Sequence, residues 1–511
     1  MKKYIYNLFK YSALSLFLLA GSGCEKDFLE KNPLDQISSS TFWKTKADFD
    51  MALTASYATL QNSIFSTAMP NMDALTDNGY GQHNYNGSQR IVQGDISPSS
   101  GGFINDVYNG SYQGITRINI FLQQLSNYQG ADISNDLKAR YEAEARFLRG
   151  FYYYQLYFFY GAVPLVTEPL TLETQNQPKA PADKILEQVM SDLNFAITAL
   201  PNVRYGANNG HAVKSSAEAF KARVLMYVGY NENGEPKPEI LTQARDLLSG
   251  LMTSGYSLDP VYENVFRYNT QESSPEIMFS IKFLAPDNAT AMDQWYGDWL
   301  VVSPLQNMVN AYESTDGLPW GVSPLTNPNN PMENRDPRLA KTIFVNAPKF
   351  NGKEHLPSNN RPTGYGVAKF LSPDLMPYGY STQSHQDWVV LRYGEVLLMY
   401  AEAQNELVGP DQSVYDAINA IRSRVGMPDV PKGLNKVQMR ERIRQERRIE
   451  LAFEGFRYYD LKRWRTAETV LPQVKDGIIP YKFEKRFYLW PLPQTEIDKS
   501  QGVLVQNPDY K

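Results

Sequence analysis

A single cysteine, Cys24, stands among 511 residues. After removal of the segment before it, no second thiol is left for an internal disulfide, so the fold must stand on its core alone. Histidine is almost as scarce: His83, His211, His355 and His385 are scattered singly, with no HExxH pair. That spacing names no histidine-ligated metal centre. A dominant charge of one sign is also missing, since 50 Lys and Arg face 55 Asp and Glu, for a net charge of −5 and a pI of about 5.6. No large basic field results, and nucleic acid is excluded as the main partner. The chain has no P-loop, no GxGxxG after a strand and no GxSxG elbow, which weighs against an enzyme. A pair of catalytic carboxylates stays open on sequence grounds, because two Asp or Glu can meet from anywhere in a chain of this length.

The position of the one cysteine is informative. It follows a positive start (Lys2, Lys3, Lys10), an apolar stretch at 11–20 (YSALSLFLLA) and the small residues Gly21, Ser22 and Gly23. The apolar stretch is too short for a membrane helix, which needs roughly 20 apolar residues, and the pattern is that of a lipoprotein signal peptide over 1–23 with Cys24 as the lipid attachment point. Gly21 departs from the branched apolar residue more usual there. Residues 24–40 then form a polar tether.

The abundant residue is tyrosine. With 34 Tyr, 24 Phe and 7 Trp, aromatics make up 13% of the chain. Tyrosine joins an apolar face to a polar tip, which suits a wet, concave binding surface as well as packed helix pairs.

Helical spacing predicts helices over 49–60, 107–125, 137–160, 182–200, 215–230, 238–254, 391–407, 413–425 and 434–464. In 137–160, Phe147, Phe151, Tyr154 and Phe158 form one stripe and Leu148, Tyr152 and Phe159 an adjoining one, so that helix must be buried between neighbours. Short links and the small residues Ala217, Ala219 and Ala222 suggest stacked antiparallel pairs similar to tetratricopeptide units, without a clean 34-residue repeat. Residues 71–102 break the pattern with Gly, Asn, Ser and Asp around Tyr80, His83 and Tyr85, and predict a long functional loop. Residues 257–390 are irregular, with a short strand at 277–283 and extended loops at 324–337 and 351–366. Glu446, Glu450 and Glu454 recur every four residues with Arg442, Arg447 and Arg457 in reach, which predicts pairing along and across helices.

Eight motifs carry a family resemblance: EARFLRGFYYYQLYFFYGAVPLV at 144–166, DGLPW at 316–320, NRDPRL at 334–339, RYGEVLLMYAEAQNE at 392–406, INAIRSRVGMP at 418–428, ERRIELAFEGFRYYDLKRW at 446–464, LWPLP at 489–493 and QNPDY at 506–510. In this order they resemble the RagB/SusD family across essentially the whole mature chain. Gly150 and Gly394 stand where alanine is usual, a change that costs about 1 kcal/mol inside a helix. The resemblance implies a mostly α fold, a tetratricopeptide-like helix-pair scaffold (an α/α superhelix) with an irregular loop-rich ligand-binding portion and few short strands. It divides the chain into an N-terminal helical region, 41–260, and a C-terminal region, 261–511, packed as one unit. It further implies a lipid-anchored protein on the outer face of the outer membrane that captures glycans for a SusC-type TonB-dependent barrel. Glu25 and Asp27 are compatible with the acidic export signals of such lipoproteins.

The candidate ligand residues fall in two irregular segments. The first holds Asp77, Asn78, Tyr80, His83 and Tyr85, whose place after the first helix resembles the family's N-terminal ligand loop. The second holds Trp295, Tyr296, Asp298 and Trp299, ahead of DGLPW, where the family's glycan binders place stacking rings. Sugar rings offer apolar C–H faces to aromatic planes and hydroxyls to forked acceptors and donors. Trp295 and Trp299, four residues apart, are equally readable as one face of a packed helix. The charged motifs are expected to pair within the fold rather than touch ligand. No cofactor and no metal ligand set is expected; a structural calcium is left open, since there is no EF-hand loop. Two alternatives stand beside glycan capture: the same architecture binding peptide or another nutrient, and a surface glycoside hydrolase.

Overall fold

The computed structural model describes residues 42–345, 349–350, 353–354, 362–475 and 478–510. The signal peptide at 1–23, Cys24, the tether at 24–40, His355 and most of the 351–366 loop lie outside the described residues.

Thr45 opens the first helix with a reciprocal cap, its hydroxyl accepting from the Asp48 N–H while the Asp48 carboxylate accepts from the Thr45 N–H. Helix α1 (Lys46–Ala58) follows, then α2 (Phe103–Asn127), α3 (Asn135–Tyr160), α4 (Ala182–Ala199), α5 (Lys214–Val228) and α6 (Pro238–Met252). From α2 to α6 each helix packs on the next. The stack continues from α6 onto α7 (Tyr393–Val408), which also packs α8 (Gln412–Arg424) and α9 (Lys436–Glu450). Two shorter helices, α10 (Phe456–Arg463) and α11 (Gln494–Lys499), lie nearer the end of the chain. This is the mostly α, tetratricopeptide-like scaffold expected from the motifs.

Helix α3 is the spine. Its stripes Phe147, Phe151, Tyr154, Phe158 and Leu148, Tyr152, Phe159 are all buried, and the rings meet partners from distant elements: Phe158 stacks on Tyr459 at 3.9 Å and Phe159 on Trp490 at 4.2 Å. Burying an aromatic side chain contributes roughly 1.5–3 kcal/mol, so this helix holds early and late parts of the chain together. One hydrophobic cluster runs from Phe49 to Leu504.

Strands are few and short. β1 (Gly79–Gly81) pairs antiparallel with β3 (Val302–Pro304), β2 (Ile277–Ile281) with β6 (Trp388–Arg392), and β4 (Ile343–Val345) with β5 (Tyr365–Val367). Two expectations from periodicity need correction. The stretch 391–407 starts one element earlier, as β6, before α7 begins at Tyr393. The single helix expected over 434–464 is two helices, because Phe453 (φ 61°) and Gly455 (φ 82°) take left-handed backbone between α9 and α10.

The charged interior pairs across elements as expected, but with other partners. Glu446, Glu450 and Glu454 are buried, and their partners come from other elements rather than from the arginines of their own stretch. Glu450 pairs with Arg338, Arg392 and Arg424, Glu454 with Arg392 and Lys369, and Glu446 with Arg422 and Arg338. Burial opposes ionisation of Glu450, and the three guanidiniums outweigh it, holding the carboxyl well below the usual range. Gly394 sits inside this cluster: a Cβ there would lie 2.4 Å from Arg392 Nη1 and 2.9 Å from Glu276 Oε1. The residue that departs from the family's alanine is fitted to its surroundings.

Candidate glycan-binding platform

Two segments more than 200 residues apart meet at one ladder. In β1 and β3, Gly79 opposes Pro304, Tyr80 opposes Ser303 and Gly81 opposes Val302. Gln82 N–H donates to the Val301 carbonyl at 3.0 Å and Leu305 N–H to the Asn78 carbonyl at 2.9 Å, extending the pairing at both ends. The ladder therefore sets the loop after β1 beside the turn before β3, the two regions that the sequence nominates.

The first loop is fixed from beneath by charge. Asp77 and Asn78 are buried, which removes them from the surface. The Asp77 carboxylate accepts from Arg457 at 2.8 and 3.0 Å and pairs with Arg448 at 3.0 Å. Burial opposes its ionisation, and the two arginines override that cost, keeping the group charged far below the ordinary carboxylate range. Arg448 also donates to Asn78 Oδ1 at 2.8 Å, while the Asn78 amide donates to Asp73 at 2.7 Å. The ERRIELAFEGFRYYDLKRW stretch thus holds the loop through Arg448 and Arg457. Tyr80 is 9% exposed, with its hydroxyl accepting from Gln89, and it too belongs to the framework.

Beyond β1 the chain turns sharply. His83, Asn84, Asn86 and Gly87 all take left-handed backbone, a region that asparagine and glycine tolerate best. Asn84 Oδ1 accepts from the Gln89 and Arg90 N–H groups, and buried Asn71 donates to the Tyr85 carbonyl and to Asn86 Oδ1. Tyr85 is held half-buried at the surface and His83 is exposed.

The second segment is a single π turn, Gln294–Asp298, closed by Trp299 N–H donating to the Gln294 carbonyl at 2.9 Å. Such wide turns are frequent at functional sites. Tyr296 points the other way and is fully buried, its hydroxyl donating to the Thr67 carbonyl at 2.6 Å; it anchors the turn and is not available to ligand. Asp298 is also buried. Trp295 and Trp299 are half-buried and face the first loop.

Three rings then form one patch. Tyr85 lies 6.2 Å from Trp295 and 6.1 Å from Trp299, and the two indoles are 6.4 Å apart, with planes inclined to one another by 29°, 9° and 21°. Three mutually equidistant centres cannot share one stacking axis, so these near-parallel rings tile a patch rather than pile in a column. Tyr380, 87% exposed, stands edge-on to Trp299 at 5.4 Å and 69°, and His83 stands edge-on to Tyr85 at 6.2 Å and 82°. Tyr378 seats the segment that carries Tyr380: its ring packs so closely on Gly297 that a Cβ there would come within 2.4 Å. Gln82 Oε1 and Gln294 Nε2, from the residues just before His83 and Trp295, are buried without a hydrogen-bond partner among the described residues. The arrangement offers flat apolar faces for stacking with amide groups close by.

Family models cover most of the chain: one described as "SusD family" matches residues 263–510, and one described as "Starch-binding associating with outer membrane" matches residues 27–226. The chain belongs to the SusD/RagB family. SusD-like protein P2 of Formosa agariphila is 25% identical over 522 residues, covering 97% of this chain and 98% of its own. SusD-like protein P25 of the same organism is 28% identical over 491 residues, covering 88% of each. A SusD-like carbohydrate-binding protein of Bacteroides fragilis superposes with a TM-score of 0.78 at 27% identity, covering 92% of this chain and all of its own.

Of the nominated residues, the SusD-like scaffold brings Tyr85, Trp295, Trp299 and His83 together at the surface and places Asp77, Asn78, Tyr80, Tyr296 and Asp298 beneath it. Tyr380 was missed. Its signal was present in MPYGYST at 376–382, a tyrosine pair in a Pro- and Gly-containing loop of the same kind as the segment around Tyr85. Among the described residues, no group of three or more His, Cys, Asp or Glu is placed to hold a metal ion, and no helix is long and apolar enough to cross a membrane.

Proposed function

We propose that this SusD-family protein captures glycans on the Tyr85–Trp295–Trp299 platform, with Tyr380 as an upright ring at its edge. The observation that carries this reading is the near-parallel, half-exposed triad assembled from two distant segments, each fixed by buried hydrogen bonds and ion pairs. A core cluster would hide those rings; here the buried neighbours Tyr296 and Asp77 hold them at the surface. Two features support a binding protein over a hydrolase. Asp77, the carboxylate nearest the first loop in sequence, is neutralised by two arginines, and the Bacteroides fragilis neighbour at 27% identity carries the name of a carbohydrate-binding protein.

On this reading Cys24 carries the lipid that fastens the protein to the outer face of the outer membrane, and a SusC-type TonB-dependent barrel receives the glycan. The family description "associating with outer membrane" supports the location. Calorimetric titration against purified polysaccharides and their oligosaccharides, with reducing-end release followed in parallel, tests the reading. Saturable heat without product is expected. Silence across the panel with heat from oligopeptides would move the ligand to peptides, and product release would overturn the binding-protein reading.

A further inference from the structure

The platform holds information about its ligand in the tilt of its ring planes and in the charges that border them. The Tyr85 and Trp299 planes are inclined by 9°, Trp295 and Trp299 by 21°, and Tyr85 and Trp295 by 29°. A sugar stacks by laying its C–H face parallel to an aromatic plane, so a chain that engages two or three of these rings must keep its own successive faces parallel. Linkage decides whether it can. Where both bonds to a pyranose ring are equatorial and at opposite ends, as in β-1,4-linked gluco-, manno- and xylo-configured chains, the chain extends as a ribbon and its faces stay close to parallel. An axial bond, as in α-1,4-glucans, or attachment points that are not opposite, as in β-1,3-glucans, turns each face relative to the last and winds the chain. Such a chain needs stacking planes that turn with it.

The backbone that sets the tilt is held in place. Trp295 and Trp299 ride on one π turn, anchored by Tyr296 on the Thr67 carbonyl at 2.6 Å and by the Val301 N–H donating to the Trp295 carbonyl at 3.0 Å, while the Tyr85 carbonyl accepts from Asn71. A preset geometry favours the ligand that already matches it. Charge narrows the class further. The three segments that carry the rings, 78–90, 292–301 and 372–385, contain no lysine and a single arginine, Arg90, which is paired with Asp95 at 2.9 Å. The same segments contain Asp293, Asp298 and Asp374, and the exposed Asp106 carboxylate accepts from Asn86, next to Tyr85, at 3.5 Å. A uronate or sulfated sugar would meet carboxylates there and only an arginine already engaged, and a charge that loses water without gaining a partner binds poorly. The polar side chains beside the rings are amides instead, Gln82, Asn84, Asn86 and Gln294, a chemistry that matches hydroxyls.

We propose that the platform selects an uncharged, ribbon-like glycan with a β-1,4-linked backbone and discriminates against helical and acidic glycans. This rests on the glycan-capture reading of the same site and adds to it the linkage and the charge of the ligand.

Two matched pairs of oligosaccharides of equal length separate shape from charge. Cello- and malto-oligosaccharides differ only in the configuration of the linkage; β-1,4-manno- and β-1,4-mannuronate oligosaccharides share the linkage and differ in a hydroxymethyl group against a carboxylate. With xylo- and laminari-oligosaccharides added, each is titrated calorimetrically into the mature chain and into its Trp295→Ala/Trp299→Ala variant, at neutral pH and low ionic strength so that surface charge is little screened. At least one of the cello-, manno- and xylo-ligands should bind the parent and not the variant, about tenfold or more tighter than the malto- and laminari-ligands, and the mannuronate ligand should give no heat that the variant abolishes. Variant-sensitive binding of the malto-, laminari- or mannuronate ligand at equal or higher affinity would overturn the proposal and leave glycan capture standing. Silence from all six with heat from another polysaccharide would do the same, whereas silence from every polysaccharide, or heat that the variant retains, would remove the platform's glycan-capture reading as well.

Discussion

The same residue types serve opposite ends in α3 and in the platform. Along α3, Phe147, Phe151, Tyr154 and Phe158 are buried by regular helices packed on both sides, and their orientation follows from a 3.6-residue period. At the platform, Tyr85, Trp295 and Trp299 sit on left-handed turns and a π turn that have no such period. Their exposure is enforced from below by buried polar contacts: Asp77 clamped by Arg448 and Arg457, Asn71 donating to Tyr85 and Asn86, Tyr296 tied to Thr67. Regular backbone hides rings at little cost; irregular backbone presents them only if buried polar contacts fix its shape.

Substitutions can break this contrast. Asp77→Ala has the largest expected effect, because it strands two buried guanidiniums: a loss of about 3–5 kcal/mol in denaturant unfolding, with glycan binding lost as the loop is released. Phe158→Ala should cost stability on a similar scale, about 3–5 kcal/mol, yet leave the affinity of the folded protein unchanged, since it lies under no ligand-facing loop. Trp299→Ala should do the reverse, weakening binding by about 2 kcal/mol, roughly 30-fold, while the melting temperature stays nearly constant. A large stability loss in Trp299→Ala would return that ring to the core.

Smaller effects sharpen the picture. Tyr380→Ala should weaken binding by about 1 kcal/mol, roughly fivefold, because an edge ring contacts less of a ligand than the central rings. Asp293, just ahead of the π turn, is pushed from 3.8 up to about 7 by burial, against the opposing hydrogen bond from the Ser372 N–H. The folded protein therefore holds this proton more tightly than the unfolded chain, and stability falls as pH rises from about 4 to about 7. Asp293→Asn removes the titration, so its melting temperature relative to the parent should climb across that window and level off above it.

Much of the scaffold was legible in the sequence because period and caps are local. The expected 137–160 is α3 at Asn135–Tyr160, and the expected 182–200 is α4 at Ala182–Ala199. The break inside 434–464 was not, since Phe453 and Gly455 interrupt a stretch whose charges look uniformly helical. The partners of Glu446, Glu450 and Glu454 were equally hidden: Arg338, Arg392 and Arg422 lie far away in sequence and meet them only through tertiary packing. At the candidate site, composition pointed to two segments that the fold brings together but could not separate surface rings from framework residues. Trp295, Tyr296 and Trp299 are neighbours of one type, and only the π turn decides which of them faces outward. Tyr380 joins them through the packing of Tyr378 on Gly297, a contact no local pattern announces.

The most direct test of the platform is a calorimetric titration of the mature chain and its Trp295→Ala/Trp299→Ala variant against the same polysaccharide panel, with melting temperatures measured on both. The account predicts saturable heat for the parent, none for the variant, and closely matched melting temperatures. A variant that binds as the parent does, with its fold intact, would contradict it.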